Sequence, residues 1–157
     1  MHITLLQQYH LVLSAREALF DYCETISSDH LNTQLSTFNN QSIVSQLIHT
    51  ANCYTFWLAN SAMQLQRPYV KEEDSNLVSM REAYQQVDLT MNDFLQNFKD
   101  TLSQQIFITR PDGNSLTCSP LNIFTHAITH EFHHKGQIVS MSRQLGYTPV
   151  DTDVIRS

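Results

Sequence analysis

The sequence predicts an all-α fold in which four long helices pack as a bundle, and three observations lead there. Only three glycines and four prolines punctuate 157 residues, so long stretches carry nothing that breaks a helix. Through most of those stretches apolar residues recur at steps of three and four, the spacing of one helix face. Hydrophobic residues make up 41% of an 18.1 kDa chain, enough for one core without staples, since a chain this long buries roughly 68–70% of its unfolded surface. A single domain over residues 1–157 is expected.

The first helix is expected over residues 2–27, a segment without glycine or proline. Leu6, Tyr9, Leu13, Phe20 and Cys23 form its apolar stripe, which Arg16 interrupts. A snorkelling side chain at the helix edge explains such an arginine; an anion contact for a substrate is the functional alternative. Ser27-Ser28-Asp29 reads as a stop, and polar residues continue to Asn40. The second helix is expected over residues 41–62, with Ile43, Leu47, Ala51, Tyr54 and Leu58 facing the core. Arg67-Pro68 belongs to a connecting loop, and Asp74 or Ser75 is the expected N-cap of the third helix. There Leu77, Met80, Tyr84, Val87, Met91, Phe94 and Phe98 alternate in steps of three and four, a seam that implies near-antiparallel packing with a left-handed twist.

Residues 105–117 break the helical pattern. Ile106-Phe107-Ile108-Thr109 is β-prone and Pro111-Asp112-Gly113-Asn114 is a turn sequence, which predicts a short hairpin or extended loop across one end of the bundle. Ser119-Pro120 supplies an N-cap followed by proline in the first turn. The last helix then runs to Leu145, stopped by Gly146 with Pro149 beyond.

Charge excludes some functions. The net charge is −6, and the nine lysines and arginines are scattered, whereas phosphate-backbone binding needs clustered cations; nucleic acid is not an expected partner. No apolar run approaches the ~18–20 residues of a membrane span, and Met1-His2-Ile3-Thr4 lacks a cationic leader. Cys23, Cys53 and Cys118 are odd in number and widely spaced, as suits reduced thiols in a cytoplasm.

The chemistry sits in the last helix, where His126, His130, His133 and His134 fall within nine residues. At the helical repeat His130 and His134 lie about 40° apart on one face, shared with Ile123, Ala127, Ile138, Met141 and Leu145. The pair is therefore expected to point into the core, where imidazoles need partners for their ring nitrogens. A shared metal meets that need, because rings one turn apart can converge at the ~2.0–2.1 Å of a zinc–nitrogen bond; ordinary hydrogen bonds are the plainer alternative. His133 and His126 are expected to border the site, and Gln137, within about 20° of His130, to bond a ligand or substrate or simply to pack. A third ligand must come from another helix, and position leaves His2, His10, His30, His49 and the cysteines open. Cys53 lies one turn from His49 and could serve, though buried cysteine is usually plain core.

The run from His126 through His130, His133-His134-Lys135-Gly136-Gln137-Ile138 to Arg143-Gln144-Leu145-Gly146-Tyr147, Pro149 and Asp153 resembles the last helix of DinB-like proteins. Their usual pattern has Arg where this chain has Lys135. His49, followed by Phe56-Trp57-Leu58, resembles the second-helix signature of the same family. The resemblance covers the whole chain in length and helix order. It implies a four-helix bundle of DinB/YfiT type, commonly dimeric, that holds a divalent metal, zinc or nickel, on His49, His130 and His134. It also implies an open coordination position, and related families use such a metal to activate a low-molecular-weight thiol for S-transfer. The expected protein is thus a metal-dependent enzyme acting on a thiol or on water, a homodimer with a small-molecule substrate and neither nucleic acid nor membrane as partner. The alternative is a non-enzymatic stress-response protein that its metal only stabilises.

His130-Glu131-Phe132-His133-His134 also reads H-E-x-x-H, the zincin protease signature, with Glu131 as general base. The metzincin extension fails at Ser140, no β-sheet precedes the motif, and Glu131, about 100° round from His130, is expected at the surface. The protease is the weaker reading.

Overall fold

The structure is a computed structural model, and it describes residues 2–74, 76–110 and 112–156. Five α-helices, α1 (His2–Cys23), α2 (Ser28–Asn32), α3 (Ile43–Tyr54), α4 (Leu77–Asn97) and α5 (Pro120–Gln144), carry most of the fold. A hairpin of β1 (Ile106–Thr109) and β2 (Ser115–Cys118) joins α4 to α5. The mostly helical expectation holds, including the hairpin.

In α1 the buried stripe runs Leu5, Tyr9, Val12, Arg16, Leu19 and Cys23, in alternating steps of four and three. Leu6 and Leu13 are only half-buried. Arg16 is 5% exposed, so it sits within the stripe instead of snorkelling at its edge. The helix also ends earlier than expected. Ser27-Ser28-Asp29 starts a helix rather than stopping one: the Ser27 hydroxyl caps α2 by accepting from the His30 N–H.

Ser42 and Ser45 form a reciprocal capping box at the start of α3. All five residues of its expected stripe, Ile43 to Leu58, are buried. From Thr55 to Ala62 the helix continues in π form, with the Met63 N–H donating to the Leu58 carbonyl five residues back. Asn76 caps α4, its side chain accepting from the Val78 and Ser79 N–H groups. That corrects the expected cap at Asp74 or Ser75; Ser75 lies outside the described residues. Met80, Tyr84, Val87, Met91 and Phe94 of the predicted seam are buried, with Leu77 and Phe98 half-buried at its ends.

The chief packing partners of α1 are α4 and α5, and those of α3 are also α4 and α5. Arg81 of α4 binds Glu17 and Asp21 of α1 and Glu24 just beyond its end at 2.6–2.9 Å. The hairpin pairs Ile106 with Cys118 and Thr109 with Ser115, and its buried Ile108 sets β1 against the π segment. Ser119 caps α5 in a third capping box, with Pro120 in the first turn. At the other end Gly146 takes φ +91, a left-handed conformation that glycine adopts without a Cβ clash. The Lys135 ammonium, buried beneath the C-terminal segment, donates to the Thr152 carbonyl. No helix among the described residues is long and apolar enough to cross a membrane.

Candidate metal centre

The histidines meet where α3 packs on α5. His49 projects from α3, while His130 and His134 project from consecutive turns of α5. One ring nitrogen from each lies within 4.8 Å of the other two. The Nε2 atoms of His49 and His130 stand 3.1 Å apart. Two such lone pairs can approach so closely only with a proton or a cation between them. Ligands around a tetrahedral zinc are separated by about 3.4 Å for bonds of ~2.0–2.1 Å, so the donor set fits a cation after small adjustments.

Electrostatics keep the rings ready to ligate. Burial, and then the neighbouring His134 and His49 rings, push the His130 imidazolium down to about 4. Burial and His49 push His134 down to about 4 as well. Both rings are therefore neutral at pH 7, the state in which imidazole binds a metal. The tautomer of His134 is fixed from behind: its Nδ1 contacts the amide oxygens of Gln46 at 2.5 Å and Gln137 at 2.7 Å. Both are acceptors, so Nδ1 carries the proton and Nε2 keeps its lone pair. The Gln137 amide nitrogen donates in turn to His133 Nε2 at 3.2 Å, which places His133 one residue removed from the cluster.

The cluster lies at the edge of the helical core. His134 is 8% exposed, His130 is half-buried and His49 is exposed. The expectation of a pair pointing fully into the core is corrected accordingly: the pair lies along the seam between α5 and α3, where His49 is exposed. His126 lies beside the cluster, stacked on His130 with ring centroids 5.4 Å apart, and Cys53 Sγ is 3.9 Å from His126 Nε2. Burial pushes the Cys53 thiol up to about 12. Of the remaining candidates, the His30 Nδ1 is occupied by the Tyr147 hydroxyl at 2.9 Å, His10 is exposed on α1, and the His2 side chain lies outside the described residues.

Arg16 and Glu131 are placed differently from expectation. Glu131 is 7% exposed, not at the surface. Its Oε1 accepts from Arg16 Nε at 2.7 Å, and its Oε2 from Arg16 Nη2 at 2.9 Å and the Tyr54 hydroxyl at 2.5 Å. Arg16 also binds Asp88 at 2.5 Å and Tyr9 at 3.1 Å. Burial opposes the Arg16 charge but Glu131 outweighs it, leaving the guanidinium firmly protonated. Both oxygens of Glu131 are thus committed to an internal ion pair, which removes the general base that the H-E-x-x-H reading requires.

Sequence reasoning missed Gln46. Its signal was a polar side chain on a buried stretch of α3, one turn before His49. Two cavities, of about 500 and 480 Å³, lie elsewhere: one between the π segment, the Arg67–Val70 loop and α4, the other around Arg16, Arg81 and Asp88. None of the three histidines lines either.

Comparison with known families places the chain. The model of the DinB family matches residues 1–157, its whole length. No curated protein matches it.

Proposed function

We infer the function of this chain from one premise: it belongs to the DinB family. The reading is a divalent-metal protein with a four-helix bundle of DinB/YfiT type, in which His49, His130 and His134 hold zinc or nickel. The observation that carries it is the convergence of three imidazole nitrogens within 4.8 Å, two of them on rings held neutral. When bound there, a divalent metal supplies Lewis-acid activation, lowering the pKa of a thiol or a water so that the anion exists at neutral pH.

The chain's own groups do the rest. Gln46 and Gln137 hold the Nδ1 proton of His134 and so aim Nε2 at the site. The exposed flank of His49 leaves a side open through which a low-molecular-weight thiol or a small substrate can approach. Three neutral nitrogen ligands leave a coordination position free, as catalytic rather than structural sites do. With a thiol the protein is an S-transferase; with water it is a hydrolase. Glu131 takes no part in proton transfer, because its carboxylate is spent on Arg16 and Tyr54. A homodimer in the cytoplasm completes the reading.

The test is turnover by protein loaded with zinc or nickel, using thiol–electrophile pairs and esters, against His49→Ala loaded in parallel. Turnover lost in His49→Ala supports the enzyme. One observation favours a second reading, that the metal only stabilises the fold: neither of the two cavities of about 500 and 480 Å³ is lined by the three histidines. On that reading metal raises the melting temperature and neither panel turns over.

A further inference from the structure

We propose that Cys53, His126 and His130 form a second cation position of different chemistry, a thiolate–imidazole site for a soft d10 cation. Cys53 lies one turn beyond His49 on α3, and His126 one turn before His130 on α5. The two helices thus face each other as ladders of donors: His49 meets His130 and His134, and Cys53 meets His126 and His130. The Cys53 sulfur and one nitrogen from each of His126 and His130 lie within 4.8 Å of one another. The sulfur is 3.9 Å from His126 Nε2. The His126 ring is stacked on His130, with 25° between their planes.

The donor set selects the cation. Thiolate sulfur prefers soft d10 ions, and three donors of this kind suit copper(I), cadmium or zinc over the hard, oxygen-seeking calcium and magnesium. Binding breaks the Cys53 S–H bond, forms a sulfur–metal bond and releases the proton to solvent, with no change of oxidation state. Trp57, one further turn along the same helix, stands edge-on to His126 at 5.1 Å. It is the chain's single tryptophan, so its emission reports on this position.

This position shares His130 with the three-histidine cluster but needs neither His49 nor His134, and the test uses that difference. Cadmium is titrated into full-length His49→Ala protein, whose three-histidine set is broken. The readouts are thiolate-to-cadmium absorption in the ultraviolet and Trp57 emission. The expected result is an absorption band that saturates near one equivalent, with a concurrent change in emission. Both are lost in His49→Ala/Cys53→Ser and in His49→Ala/His126→Ala. Serine replaces the sulfur with little change of shape, and circular dichroism checks that each variant is folded. A band that is absent from His49→Ala, or that survives in the Cys53→Ser variant, where Cys23 and Cys118 remain, overturns the proposal. Failure of zinc or nickel to bind wild type would count against the three-histidine reading and leave the cadmium result standing.

Discussion

Replacing Glu131 by glutamine removes the charge from one half of a buried ion pair while keeping the side chain's shape. Arg16 is 5% and Glu131 8% exposed at the side chain, so solvent screens neither. Breaking a buried pair by removing one partner costs about 3–5 kcal/mol. The lower end applies, because Arg16 keeps Asp88 at 2.5 Å and the glutamine oxygen can still accept one hydrogen bond. For a chain of this size about 3 kcal/mol corresponds to a fall of about 6–12 °C in Tm. Thermal melts and urea titrations followed by circular dichroism measure it. Arg16→Met in the Glu131→Gln background should cost less than the two single losses added together, since the groups are in direct contact. A Glu131→Gln protein whose Tm falls by less than about 2 °C would refute the internal ion pair. It would also reopen the protease reading, which expects lost hydrolysis with stability untouched.

Other expected outcomes follow from the same geometry. Gln46→Ala leaves the His134 Nδ1 proton with Gln137 alone, and metal affinity should fall about 10–100-fold in a competition titration with a chromophoric chelator; unchanged affinity contradicts the orienting role. Ser119→Ala removes the α5 cap and should cost about 1 kcal/mol in urea titration, against no change if the cap is idle. Burial holds the Cys23 thiol at about 12, above its ordinary 9.0, and raises Tyr9 and Tyr54 in the same direction. The unfolded chain therefore gives up these protons first as pH rises. The stability these groups contribute should be full below pH 9.0 and decline toward pH 12; urea midpoints that rise between those two values contradict it.

The sequence was most legible where local chemistry decides the outcome. Ser119-Pro120 and Gly146 bound α5 because a cap, a fixed φ and a left-handed residue are properties of single positions. The hairpin was legible from its turn and its β-branched flank for the same reason. The π segment was not, because Ile43 to Leu58 keep one apolar stripe in either helix type. The α4 cap was misplaced because Asp74, Ser75 and Asn76 are all good caps, and the reciprocal bond from Ser79 that selects Asn76 is visible only in three dimensions. Arg16 and Glu131 lie 115 positions apart, and each looked like a surface residue by itself. Arg16 breaking an apolar stripe was the available clue that a buried partner existed. At the candidate site, the resemblance pointed to His49 where position could not. Gln46 and the nearness of Cys53 to His126 depend on how α3 lies against α5.

On the proposed reading three histidines from two helices share one metal. Metal content by inductively coupled plasma mass spectrometry, after reconstitution with zinc or nickel, tests it most directly in wild type, His49→Ala, His130→Ala and His134→Ala. About one metal per chain is expected in wild type, with its loss in all three variants. Full retention in His49→Ala, or no metal in reconstituted wild type, would contradict it.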